Sequence, residues 1–132
     1  MNNELASLSK ESIEIARYLV ECAQHKKIQT YGEVHEKMKS RHKHTYFVVE
    51  LSRYLDKINK VSYPRTGVLL SVLVVNQDTD RPGDGFFTLA AELRQEPHLL
   101  NPNSWEKFFD DECKRVYESA LNKKLNFFTD EK

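Results

Sequence analysis

The residues best suited to binding chemistry in this chain of 132 residues are cations, and most of them lie in one stretch. Residues 26–65 contain 10 Lys and Arg against 4 Asp and Glu, a net charge of +6. The whole chain carries 20 of each, so it is neutral. A local concentration of positive charge attracts nucleic-acid phosphates, while overall neutrality argues against indiscriminate binding to polyanions. The sequence therefore predicts one polyanion-binding surface in the middle of the chain.

Within this stretch, Arg53, Lys57 and Lys60 recur at helical spacing and would form a row on one helix face, suited to phosphate contacts. The residues predicted to contact nucleic acid are Tyr31, Lys37, Lys39, Arg41, Lys43, His44, Thr45, Tyr46, Arg53 and Lys57. A charged row is also typical of a solvated helix face, because Glu50 can pair with Arg53 and Asp56 with Lys60.

Other side chains that carry chemistry do not form a recognisable catalytic or metal site. His35, His42 and His44 lack the i, i+3 or i+4 spacing of helical metal ligands and have no Cys or carboxylate at a familiar offset. Cys22 and Cys113 stand 91 positions apart and are expected to be reduced, buried thiols. We therefore expect a non-enzymatic protein with no metal and no cofactor.

A polar loop forms a secondary candidate site. It contains Asn76, Asp78, Asp80 and Asp84, followed by Gly85. Alternating carboxylates suit Ca²⁺, but the closing Glu of a calcium loop is missing, and Asp and Gly also serve turn geometry. Either interpretation is consistent with the residues.

The elements that would position these residues are mainly helices. Ser9 is predicted to cap a first helix, and Thr30 with Glu33 forms the pattern of a capping box. The second helix is expected from Tyr31 to about Met38, with residues 39–43 as a connection. The third helix is expected from His44 to about Lys60.

An extended segment is predicted to follow the third helix. Tyr63–Gly67 has the residues of a turn, and Val68–Val75 is an apolar run typical of a strand covered on both faces. Few other segments could pair with this strand, so an intermolecular sheet and a homodimer are expected alternatives.

Two C-terminal helices complete the predicted elements. One follows Gly85, and the second opens at a capping signature, Asn103 to Glu106, and carries its apolar side to Leu121. Residues 126–132 are expected to fray, unless Phe127 and Phe128 fold back with Leu125.

This order predicts a mostly helical α+β fold with a winged helix-turn-helix-like core, one strong strand and two C-terminal helices. A single domain spans residues 1–125, with the helix-turn-helix unit at about 28–60. No apolar run approaches the length of a membrane span, and the N-terminus lacks a signal peptide, so a cytoplasmic protein is expected.

The segment Lys27–Val34, with the sequence KIQTYGEV, resembles the start of the helix-turn-helix in O6-alkylguanine alkyltransferases and their non-catalytic alkyltransferase-like relatives. The resemblance covers about residues 27–60 and implies a winged helix-turn-helix fold with Tyr31 as the residue that rotates a nucleotide out of the duplex. The family's Pro-Cys-His-Arg active-site motif is absent, and the matching region Gly67–Asn76 contains neither Cys nor His. Alkyl transfer is therefore not expected.

Together these features predict a small non-enzymatic protein that binds double-stranded DNA, in a role such as prophage or defence-related regulation. The alternative is a protein-binding inhibitor, immunity or antitoxin-like protein. Its docking surface would include the carboxylates of the last helix, among them Asp110 and Asp111, although Lys107, Lys114 and Arg115 interrupt them.

Overall fold

The computed structural model describes residues 8–43 and 48–129. Its helices are α1 (Lys10–Gln24), α2 (Tyr31–His42), α3 (Val48–Thr66), α4 (Asp84–Arg94) and α5 (Trp105–Leu121). Short 3-10 turns occupy Leu70–Leu73, Pro97–Leu100, Pro102–Ser104 and Asn126–Phe128. The strands β1 (Gln29–Thr30) and β2 (Val74–Val75) form a two-stranded sheet. The predicted mostly helical α+β class is confirmed.

Local capping fixes where the first two helices begin. The Ser9 hydroxyl accepts a hydrogen bond from the backbone N–H of Ser12, as predicted. The capping box of α2 is also confirmed: the Glu33 N–H donates to Thr30 Oγ1 at 3.1 Å, and the Thr30 N–H donates to Glu33 Oε1 at 2.8 Å. These bonds satisfy N–H groups that would otherwise have no helical partner.

The second and third helices are longer at their C-terminal ends than predicted. The prediction of a connection at residues 39–43 is wrong, because α2 continues to His42. Basic side chains in its last turn interact favourably with the negative end of the helix dipole. The predicted turn Tyr63–Gly67 is also wrong, since α3 runs through Pro64 to Thr66 and Gly67 follows with φ +77°. Burial of Val61 and Ser62 keeps this part of α3 packed on the core.

The apolar run Val68–Val75 is buried throughout, but most of it is not a strand. Leu70–Leu73 forms a 3-10 turn, and only Val74 and Val75 are extended. Hydrogen bonds from side chains of α3, rather than those of a strand ladder, hold this segment in place. Asn59 Nδ2 donates to Ser71 Oγ at 2.7 Å and Asn59 Oδ1 accepts from the Ser71 N–H at 3.0 Å. The Ser62 hydroxyl donates to the Val68 carbonyl at 2.8 Å.

The partner of β2 lies within the chain. Gln29 pairs with Val74 and Thr30 with Val75, in parallel. This pairing removes the reason for expecting an intermolecular sheet. The described residues after α3 contain no β hairpin of the kind that forms a wing.

The C-terminal part packs back onto the core. Both predicted helices are present as α4 and α5, but the Ser104 hydroxyl does not cap α5; it donates to the carbonyls of His98 and Asn101. Leu121, expected on the apolar side of α5, is 80% exposed. Leu125 and Phe128 are fully buried, and residues 130–132 lie outside the described part. No described helix has the length and apolar character needed to cross a membrane.

Candidate nucleic-acid interface

The outward face of α3 carries the predicted row of cations. Leu51, Leu55 and Ile58 are buried on one side of the helix. Arg53, Lys57 and Lys60 are exposed, and at about 100° per residue they occupy roughly 60° of arc opposite that apolar side. Packing against the core therefore fixes the direction in which these three cations point.

The carboxylates of α3 leave this row largely uncompensated. Asp56 forms no salt bridge with Lys60 in the described structure, so this predicted local pair is not formed. Burial raises the pKa of Asp56, and the nearby Lys60 offsets part of that effect. No described carboxylate lies within salt-bridge distance of Arg53 or Lys57.

The C-terminal end of α2 adds two exposed lysines. Lys39 lies in the last turn, and Lys43 follows it in the left-handed backbone conformation with φ +59°. The predicted contacts His44, Thr45 and Tyr46 lie between Lys43 and α3, outside the described residues.

Arg41 and Lys37 face α1. Both Nη atoms of Arg41 donate to the Glu21 carboxylate, at 2.9 and 3.1 Å, and its guanidinium carbon lies 5.3 Å from the centre of the Tyr18 ring. Lys37 Nζ lies 5.8 Å from the same ring. The hydrogen bond from Arg41 holds the pKa of Glu21 below its usual range. These contacts tie α2 to α1, while the side chain of Arg41 remains 39% exposed.

Tyr31 is partly buried against the core rather than projecting from it. Its phenolic oxygen lies close to Gly83 at the start of α4: a Cβ built on Gly83 would be 3.7 Å from Tyr31 Oη and 3.7 Å from Asn76 Nδ2. Burial raises the pKa of Tyr31. This geometry favours a role in packing α2 against α4 over that of a nucleotide wedge.

The backbone of the secondary candidate site forms a turn. The Asn76 N–H donates to the Arg81 carbonyl at 2.8 Å, and the Asp80 N–H donates to the Asn76 carbonyl at 2.9 Å. Asp80 adopts φ +57°, Asp78 is exposed, and Asp84 begins α4. Within residues 8–43 and 48–129, no three His, Cys, Asp or Glu side chains cluster as metal ligands would.

Glu112 on α5, a buried residue with three hydrogen-bond partners, is absent from the sequence-based predictions. Its buried carboxylate accepts hydrogen bonds from the Leu69 N–H at 2.7 Å, from Arg94 Nη2 at 2.7 Å and from Arg115 Nε at 2.8 Å. Arg94 Nη2 also lies 2.9 Å from the Gly67 carbonyl. The available signal was spacing, since Glu112 lies four residues after Phe108 and four before Val116 on the apolar face of α5.

The two thiols are buried, and the acidic face of α5 contains a local ion pair. Cys22 and Cys113 are buried and unbridged, and burial raises the pKa of Cys113 to about 12. On the exposed side of α5, Lys107 Nζ lies 2.8 Å from Asp111 Oδ2. This local ion pair favours a solvated face over a carboxylate patch for a basic partner.

Comparisons with protein-family models, with curated proteins and with solved structures found no match to this chain. The resemblance carried by Lys27–Val34 therefore depends on that segment alone.

Proposed function

We propose that the protein binds double-stranded DNA through the outward face of α3 and the end of α2, which act as a helix-turn-helix unit. The observation that carries this proposal is the row Arg53, Lys57 and Lys60, which is exposed opposite the buried face of α3. An α-helix fits the major groove of B-form DNA, and cations along its flank contact phosphates.

The order of the elements supports this docking geometry. In a helix-turn-helix the second helix of the pair enters the major groove with its N-terminal residues first, while the preceding helix lies across the backbone. Here α3 is the second helix, and Lys39 and Lys43 lie at the end of α2 nearest its start. Because the described residues after α3 contain no β hairpin that could act as a wing, the proposed DNA contacts come from α2 and α3.

The electrostatic balance predicts moderate, salt-dependent binding. The exposed cations on this surface are Lys39, Lys43, Arg53, Lys57 and Lys60. The salt slope is the slope of a plot of log affinity against log salt concentration. Each phosphate that a cation neutralises makes this slope steeper by about 0.9. We therefore expect measurable affinity for a mixed-sequence duplex at low salt and a steep loss as salt rises.

The test is fluorescence anisotropy with a labelled mixed-sequence duplex of about two helical turns, over a salt series. Arg53→Gln with Lys57→Gln is expected to weaken binding and to reduce the salt slope by about 2, since two phosphate contacts are lost. Thermal melting should be unchanged because both side chains are exposed.

The matched control is Lys107→Gln, which removes one exposed cation from α5 and should leave DNA affinity unchanged. Absence of duplex binding at low salt by the unmodified protein, or equal effects of the α3 and α5 substitutions, would contradict the proposal. The first result would leave a protein partner as the alternative.

A further inference from the structure

A groove lies between the C-terminal ends of α1 and α5, and none of its lining residues belongs to the proposed DNA surface. Its volume is about 650 Å³. Ala23, Tyr117, Ala120 and Leu121 provide its apolar surface. Leu121 is 80% exposed, more than the other exposed large apolar side chains described, Ile28 at 40% and Leu100 at 56%. An apolar side chain this exposed beside an apolar groove is typical of an interaction site.

Lysines surround this groove on both sides. Lys26 follows α1, and Lys114 and Lys123 belong to α5 and the turn after it. Glu118 is the one carboxylate in the lining. The groove therefore combines an apolar floor with an excess of positive charge at its edge.

Two of these lysines occupy an unfavourable backbone conformation. Lys26 has φ +54° and Lys123 has φ +63°, each directly after the C-cap of its helix. Both helix ends form the Schellman pattern, in which the Lys27 N–H donates to the Cys22 carbonyl and the Lys124 N–H donates to the Ser119 carbonyl. Glycine is the usual residue at this position because a Cβ is strained there. The same conformation ends α2 at Lys43 and α4 at Gln95, so it is a common way for helices to end in the described part of this chain. At the ends of α1 and α5 it places one lysine on each side of the groove.

We propose that this groove binds an amphipathic α-helix of a partner protein, with an apolar stripe on Leu121 and Tyr117 and acidic residues beside the lysines. A helix laid in a groove presents apolar anchors at i, i+3, i+4 and i+7, with its polar residues along both edges. Lysines on both walls match carboxylates on both edges of such a helix. This proposal is independent of DNA binding.

The openness of the apolar surface favours a helix over a small amphiphile. Pockets for small ligands bury about 70–90% of the ligand surface. Leu121 stands largely in solvent, so it would leave an acyl chain exposed on that side, whereas a helix is wide enough to cover it.

The probe is a synthetic amphipathic peptide of about four helical turns with leucines on one face and glutamates on both flanks. A second peptide has glutamines in place of the glutamates. Titration into the isotopically labelled full chain, followed by NMR, should shift signals of Tyr117, Leu121 and Lys123. The glutamate peptide should bind at least about tenfold more tightly than the glutamine peptide.

The decisive variant is Lys26→Gly with Lys123→Gly. It should weaken binding of the acidic peptide about tenfold while the melting temperature stays the same or rises, because glycine relieves the left-handed backbone. Lys26→Arg with Lys123→Arg should retain binding, and Arg53→Gln with Lys57→Gln should not affect it. If these lysines had a purely structural role, Lys26→Gly with Lys123→Gly would leave peptide binding unchanged.

Several results would overturn the proposal. These are equal affinity for the two peptides, shifts that lie outside the groove, or no binding by the glutamate peptide. Displacement of that peptide by dodecanoate, combined with tight dodecanoate binding, would assign the groove to an amphiphile. Self-association blocked by Leu121→Ser would assign it to a second copy of the chain.

Discussion

The cations around Glu112 pair with a buried carboxylate, whereas the cations along α3 are exposed to solvent. Arg94 and Arg115 meet on one buried carboxylate, and Arg94 is 13% exposed. Arg53, Lys57 and Lys60 point into solvent with no salt bridge among the described residues. The same residue types therefore stabilise the fold in one region and remain available for a ligand in the other. Whether a cation is used in the fold or is available for a ligand therefore depends on where the carboxylates lie, not on how many cations are nearby.

The largest expected effect comes from breaking the buried group. Glu112→Gln removes the charge that compensates Arg94 and weakens the contact with the Leu69 N–H. Removing one partner of a buried ion pair costs about 3–5 kcal/mol, so we expect a loss of unfolding free energy of this size in urea denaturation.

The control for this prediction lies next to Glu112 in the sequence. Asp111→Asn removes an exposed carboxylate that pairs with Lys107, and its midpoint in urea should match that of the unmodified protein. Equal stabilities for the two variants would mean that the buried group contributes no more than a surface pair.

Arg41 offers an intermediate case because it is a cation of the basic stretch used within the fold. Arg41→Ala should lower the unfolding free energy by about 0.5 kcal/mol, since its pair with Glu21 is partly exposed. The DNA salt slope should change less than it does for Arg53→Gln.

The pH dependence of this pair has a defined sign. Arg41 lowers the pKa of Glu21 in the folded state, so the stabilisation is present above the unfolded-state pKa and is lost as pH falls through the folded-state value. The difference between Arg41→Ala and the unmodified protein should therefore disappear on acidification, as urea denaturation over a pH series would show. A change in salt slope equal to that of Arg53→Gln would place Arg41 with the outward cations.

The smallest expected effect is an increase in stability caused by Asp56→Asn. Burial raises the pKa of Asp56, so the ionised carboxylate disfavours folding, and stability falls as pH rises through that pKa. Asparagine should slightly raise the melting temperature at neutral pH and have no effect in acid. It also removes the negative charge near Lys60, so DNA affinity should rise. A lower melting temperature at neutral pH would contradict this interpretation.

The features predicted correctly from the sequence depend on neighbouring residues. The caps at Ser9 and Thr30 need only the next three residues, so their patterns are readable without a fold. The exposed row on α3 follows from the apolar periodicity of the same helix.

The features that were missed depend on residues far apart in the chain. Val68–Val75 was predicted as a strand because an apolar run does not distinguish a buried strand from a buried 3-10 turn. Its anchors are Asn59, 12 residues before Ser71, and Glu112, 43 residues after Leu69. The ion pair of Arg41 likewise depends on a distant residue, since Glu21 lies 20 residues earlier in the chain.

The parallel pair of β1 and β2 has a consequence for the order of folding. Gln29 and Val74 are 45 residues apart, and closing a loop of that length costs about 3 kcal/mol of chain entropy. Two residue pairs supply less than this on their own, so we expect the pairing to form only after α2 and α3 have packed on the core. Once formed, it joins both ends of the α2–α3 segment to the interior. The segment then unfolds together with the core, and a ligand bound on α3 stabilises the whole domain rather than a detachable arm.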